Sequence, residues 1–202
     1  MNSSIYGTAK AAPVDRASAG PLDLAEVVQT RPYIDFGSIR VPVRDNMQVR
    51  VEVEESTKRI VAVTLDFNES SLQLQAFAAP RHEGLWHEIR TQLHAAVEQQ
   101  GGEATDGIGT LGHELSTKTP IADEAGQVVG NRLVRFVGVD GPRWFLRGVI
   151  SGAAMLDPLA AGEIEDLFRG VVVVRGETPF PPKDLLPLSV PGGALLPPGS
   201  SL

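Results

Sequence analysis

The run NRLVRFVGVDGPRWFLRGVI, residues 131–150, decides the fold. Two stretches rich in β-branched and aromatic residues flank Asp140-Gly141, a strong hairpin signal. Pro142 conflicts with a two-residue loop centred there, because proline has no backbone donor. A four-residue loop from Val139 to Pro142 avoids the conflict. Both versions set Gly138 opposite Arg143 and Phe136 opposite Phe145. One face of the hairpin then carries Val134, Phe136, Gly138, Arg143, Phe145, Arg147 and Val149, with Arg132 at its end. The other carries Leu133, Val137, Val139, Trp144, Leu146 and Ile150, interrupted by Arg135, and is the better core candidate.

Upstream, Met47, Val49, Val51 and Val53 alternate with polar residues, the period of a half-buried strand. Residues 60–65 form a second, β-branched strand, and Leu72, Leu74, Ala76 and Ala78 mark a third, ended by Pro80. Short polar turns join them into an antiparallel meander, with 39–43 as an added edge strand that tolerates Pro42. Residues 84–100 form a helix, with Leu85, Ile89, Leu93 and Val97 on one stripe and Gly101-Gly102 as its stop. Asp157 caps another, with Pro158 at its first position, running to Arg169. Residues 21–29 suit a short helix started by Pro21, and 171–174 a buried strand. The order predicts an α+β fold: one antiparallel sheet of two meanders with helices packed on one face. This order is similar to the secretion-chaperone-like fold of small bacterial proteins that bind extended chains.

At 202 residues the chain has room for one domain and two unlike ends. Residues 1–20 are poor in periodicity and read as a disordered tail, 21–175 as a single α+β domain, and 176–202 as a Pro-rich extension. Seven prolines between 179 and 198 preclude regular structure there, yet Phe180, Leu185, Leu186, Leu188 and Val190 are apolar. The first half of the extension is therefore expected to lie across the domain or on a partner, and the part beyond Pro191 to be disordered. With no cysteine, disulfides, thiolate metal sites and thiol nucleophiles are excluded. A formal charge of −7 argues against a phosphate-backbone binder, so no nucleic acid is expected as partner. No run approaches the ~20 apolar residues of a membrane span, and no signal peptide is legible, which predicts a cytoplasmic protein without membrane contact.

Catalytic patterns are weak. Gly107-Ile108-Gly109-Thr110-Leu111-Gly112 matches the dinucleotide pattern G-x-G-x-x-G, but it follows a helix and no helix follows it. It reads as a Gly-rich loop leading into a strand. His87 and His94 stand seven residues apart on one helix, roughly 10 Å, too far to share a metal. His87-Glu88 and His113-Glu114 each begin H-E-x-x-H and lack its second histidine. Ser151 sits one position late for a nucleophile elbow. No cofactor, metal or catalytic set is therefore expected.

Several runs resemble a known family: LQLQAFAAP at 72–80, RFVGVDGPRWFLRG at 135–148, FRGVVVVRG at 168–176 and DLLPL at 184–188. Over roughly residues 20–191 the chain is similar to an actinobacterial family of uncharacterised proteins, a domain of unknown function. The resemblance implies an actinobacterial, cytoplasmic protein, encoded near dUTPase. It carries no catalytic residues.

Two functional expectations follow. In the first, the chain is a non-enzymatic protein-binding module, adaptor or chaperone-like. Arg132, Phe136, Arg143, Phe145 and Arg147 would contact an unknown protein partner or a second copy, since arginine beside aromatics typifies interface hot spots. The plainer account is that arginine stems merely cover exposed phenylalanines. In the second, a small-anion or nucleotide-binding enzyme or sensor would use Arg143 and Arg147 with Gly107, Gly109 and Gly112.

Overall fold

The computed structural model describes residues 9–28 and 31–193. Its elements in chain order are α1 (Arg16–Ala19), β1 (Leu22–Asp23), β2 (Tyr33–Asp35), β3 (Ile39–Pro42), β4 (Gln48–Val53), β5 (Ile60–Phe67) and β6 (Ser70–Ala78). There follow α2 (Trp86–Gln99), β7 (Glu103–Gly109), β8 (Gly112–Ala122), β9 (Val128–Asp140), β10 (Trp144–Gly152), α3 (Pro158–Arg169) and β11 (Val172–Val173). The fold is α+β, built mostly of antiparallel strands.

Strands lie in two sheets. The larger is antiparallel, in the order β4-β5-β6-β10-β9-β8-β7; the smaller runs β1-β11-β3-β2, with β1 and β11 parallel. The expected edge strand at 39–43 belongs to the smaller sheet, where β3 lies between β11 and β2, and Pro42 falls at its end opposite Tyr33. The helix expected at 21–29 is absent from its described part. Leu22-Asp23 pairs with β11 instead, and a single 3-10 turn, Leu24–Glu26, follows, closed by a capping box between Asp23 and Glu26. A segment this short cannot sustain a helix without tertiary support.

The central hairpin forms with a different register. Gly141 N–H donates to Trp144 O at 2.8 Å, so the loop is Pro142-Arg143. Gly138 faces Arg147 and Phe136 faces Val149. Pro142 takes the first corner of the turn, where its fixed φ fits and no donor is needed. The shift of four positions preserves the two faces. The expected Gly-rich loop is a hairpin as well: Gly109 pairs with Gly112, and Leu111 at the turn is buried in the core.

The helices lie on opposite faces of the large sheet, not on one. Ile164, Leu167 and Phe168 of α3, together with Ile39, Val41 and Val173 of the small sheet, pack over Leu72, Leu74, Val137 and Leu146. On the other face Trp86 of α2 packs over Phe145, while Ile89, Leu93 and Phe136 complete that cluster. In β9 and β10 both alternating sets are apolar, so both faces can be buried. In β4, and in β6 as far as Gln75, only one set is apolar, and no helix among the described residues covers the polar side there; Phe77 at the end of β6 joins the cluster under Trp86.

Both ends dock. Within the expected tail, Ala11 N–H donates to Asp140 Oδ2 at 2.9 Å, and Asp140 N–H donates to Ala11 O at 2.8 Å. Residues 9–20 are thus part of the folded unit. At the other end, residues 183–186 add to the β6 edge beyond β5: Lys183 N–H donates to Ala78 O, Ala78 N–H to Asp184 O and Leu186 N–H to Ala76 O, each at 2.8 Å. Leu186 and Val190 are buried in the main core. The disorder expected beyond Pro191 concerns mainly 194–202, outside the described residues.

Candidate functional site

The hairpin face singled out by its arginines and phenylalanines is mostly the seat of α2. Phe145 is fully buried. Its ring stacks with Trp86 at 5.8 Å between centroids and lies 5.9 Å from Phe77. Gly138 makes room for the indole, since a Cβ there would stand 2.4 Å from Trp86 Cδ2. Phe136 is half-buried against the same cluster. These two phenylalanines are core, so neither offers an exposed anchor. Arg132 is exposed on β9 and Arg143 is exposed in the turn, its guanidinium 3.5 Å from Gly176 O. Arg147 is half-buried in mid-strand.

The proposed anion constellation does not converge. Arg143 and Arg147 lie four residues apart along the chain, one in the turn and one in β10. The Gly107–Gly112 segment forms the β7-β8 hairpin at the far edge of the sheet, two strands beyond β10's neighbour β9. Glu114 lies beside it, with Oε2 2.5 Å from where a Cβ on Gly109 would sit. A carboxylate there opposes phosphate binding.

Beside the turn, Asp140 organises a buried polar knot. Its carboxylate accepts from Leu85 N–H at 2.8 Å and Trp86 N–H at 3.4 Å as well as from Ala11. Leu85 at the N-cap supplies no side-chain cap, so Asp140, at the end of β9, satisfies two of the N–H groups at the start of α2. Burial nonetheless pushes its carboxyl pKa up, opposed by these backbone bonds. The Lys10 ammonium donates to Pro80 O, Gly141 O and Pro142 O, and burial lowers its pKa. This arrangement holds the N-terminal segment, α2 and the hairpin turn together; it presents no reactive group.

On the α3 face, Arg135 pairs with Glu165 at 2.8 Å and Glu114 at 3.4 Å. Burial raises the Glu114 pKa. The trio ties the β7-β8 hairpin to α3. His94 Nδ1 lies 2.8 Å from Asp106 Oδ2, while His87 and His113 are exposed. Among the described residues no three His, Asp or Glu side chains gather as a metal site.

Two surfaces remain open. The first is the arm at the far end of β8 and β9. Beyond the Glu103–Lys118 and Arg135–Ile150 pairs, residues 119–122 and 128–132 pair only with each other. Ile121, Val128 and Val129 on this arm are 46%, 66% and 64% exposed. The sequence pattern DEAG at 123–126, flanked by Ile121 and Val128-Val129, carries the signal: Asp123 Oδ1 accepts from Ala125 and Gln127 N–H, and Gly126 takes φ +79°. The second is the polar face of β4, β5, β6 and β10. There Arg50 pairs with Asp66, Glu52 accepts from Gln73 at 2.5 Å, and Arg147 donates to Gln75.

No curated protein matches this chain. A family model described as "Protein of unknown function (DUF3710)" matches residues 20–195. That span takes in both sheets, α2, α3 and the docked C-terminal segment through Val190. The chain belongs to this DUF3710 family.

Proposed function

We propose that the chain is a non-enzymatic protein-binding module, adaptor-like in its action, which engages its partner through the β8-β9 arm. The observation that carries this reading is the arm itself. Apolar β-branched side chains stand exposed beside strand edges that no other described strand pairs. Such edges offer backbone donors and acceptors in register and are the usual template for an added strand. Arg132 lies on the same arm, so this expected contact is kept, whereas Phe136 and Phe145 are not. A cytoplasmic location, an actinobacterial origin and a gene near dUTPase belong to the same reading, supported by the resemblance of the motifs at 72–80, 135–148, 168–176 and 184–188. Among the described residues no helix is long and apolar enough to cross a membrane.

The test is paired capture from an extract of the source organism. Ile121→Lys with Val129→Lys replaces exposed residues and should leave the melting temperature within about a degree. A protein enriched by the natural chain should be lost with this double variant. An unchanged set of captured proteins, or no enriched protein at all, defeats the reading.

A further inference from the structure

Arg143 and Arg175 clasp each other's backbone. Arg175, just past β11, donates from Nε to Arg143 O at 3.2 Å and from Nη1 to Thr178 O at 2.8 Å. Arg143, in the β9-β10 turn, reaches back with Nη2 to Gly176 O at 3.5 Å. The two side chains are therefore neighbours, and neither pairs with a carboxylate among the described residues. Arg16, Arg40, Arg50, Arg90, Arg135 and Arg169 each do. Burial and the adjacent Arg143 charge lower the Arg175 pKa, and no carboxylate offsets them. The acids nearest in sequence do not compensate. Asp140 is engaged by Leu85, Trp86 and Ala11, and Glu177 is exposed and joins no ion pair among the described residues.

Beside Arg175 lies an open cleft of about 300 Å³. Phe180 and Leu188 give it an apolar wall, and the Arg175 guanidinium lies over the Phe180 ring, 5.5 Å from Cζ to the centroid. Ser38 lines the same cleft, and its hydroxyl is buried without a hydrogen-bond partner. An unmatched buried hydroxyl costs stability, and so does bringing two cations together. Packing over Phe180 calls for one flat cation at most, and accounts for neither the second arginine nor the unmatched hydroxyl. An anion at the cleft accounts for both. N–H donors remain free on Nη2 of Arg175 and on Nε and Nη1 of Arg143, among the described residues. Such forks match phosphate oxygens, and two uncompensated charges favour a dianion over a monoanion. The apolar wall suits a carbon body attached to it.

We propose that Arg143 and Arg175 bind the phosphate dianion of a small organic phosphate monoester, whose carbon body lies in the cleft against Phe180 and Leu188. Arg143 is kept from the expected anion set, with Arg175 in place of Arg147 and the glycines. The site is separate from the arm and does not rest on the protein-binding reading.

The ¹⁵N-labelled full chain is titrated with phenyl phosphate, inorganic phosphate and benzoate, with sodium chloride holding the ionic strength constant. Phenyl phosphate should shift the Gly176 and Thr178 amide resonances saturably. Inorganic phosphate should bind several-fold more weakly, and benzoate about tenfold more weakly. Arg143→Gln should weaken phenyl phosphate about tenfold, while its Tm without ligand stays within about a degree of the natural chain, because the position is exposed. Arg175→Lys keeps an aliphatic stem over Phe180 but loses the fork, and should weaken the same ligand several-fold. No saturable shift, benzoate as tight as phenyl phosphate, or unchanged affinity in either variant overturns the proposal. Inorganic phosphate as tight as phenyl phosphate overturns the part given to the apolar wall.

Discussion

Single residues in this chain hold distant segments together, and Asp140 is one of them. Its two carboxylate oxygens accept from Leu85, Trp86 and Ala11, which belong to the start of α2 and the N-terminal segment. The sequence marks Asp140 as half of a turn signal. Its capping role arises from contacts 54 to 129 residues away in the chain, which no local pattern reports. Asp140→Ala leaves these buried donors unpaired and should cost about 3 kcal/mol. Asp140→Asn keeps one acceptor and should cost less. Chemical denaturation of both variants checks the order; equal losses would mean that the bonds to the carboxylate contribute little.

Among the elements, the segment at 183–190 shows how a Pro-rich stretch without regular structure becomes part of a sheet. Its prolines forbid a full ladder, but residues 183–186 need only three backbone bonds, and the β6 edge beyond β5 supplies them. Leu186 then enters the core at 1% exposure. Leu186→Ala should cost about 3 kcal/mol, as for other buried leucines. Leu159, although apolar and on α3, is 81% exposed, and Leu159→Ala should fall within about 0.5 kcal/mol of the natural chain. Urea unfolding separates the two; a silent Leu186→Ala would show that the segment only rests on the surface. Here the sequence was half legible. The run of leucines among prolines indicated docking, but the alternation gave no reason to choose Leu186 over Leu185 as the buried one.

Across the whole molecule, buried and paired carboxylates act on stability in opposite senses. Hydrogen bonding to Arg16 lowers the Glu26 pKa, and hydrogen bonding to Arg50, helped by Ser71, lowers that of Asp66. Their contribution is present above the ordinary carboxylate value of ~4 and is lost as pH falls through their folded values. Burial raises the pKa of Asp140 and Glu114. Their contribution is full below ~4 and is lost as pH rises through their folded values. Acid destabilisation therefore belongs to the paired carboxylates. Asp66→Asn should flatten the fall of Tm below pH ~4, measured by thermal melts at constant ionic strength. An unchanged acid slope would show that the Arg50–Asp66 pair contributes no linkage.

The same scale shows what the amino-acid order settles by itself. Alternation in β4 and β6, the cap Asp157-Pro158, the stripe of α2 and the missing cysteines are local facts, and each determines an element or excludes a chemistry wherever it lies in space. Tertiary structure alone decided which faces those elements share. Phe145 beside Arg147 reads as one patch, yet Trp86 covers the first, while the second lies over Phe77 and bonds to Gln75. The splitting of the strands into two sheets, the helices on opposite faces and the run of the arm beyond its neighbours follow from long-range pairing. Periodicity records which side chains point the same way; it does not record which element arrives to cover them.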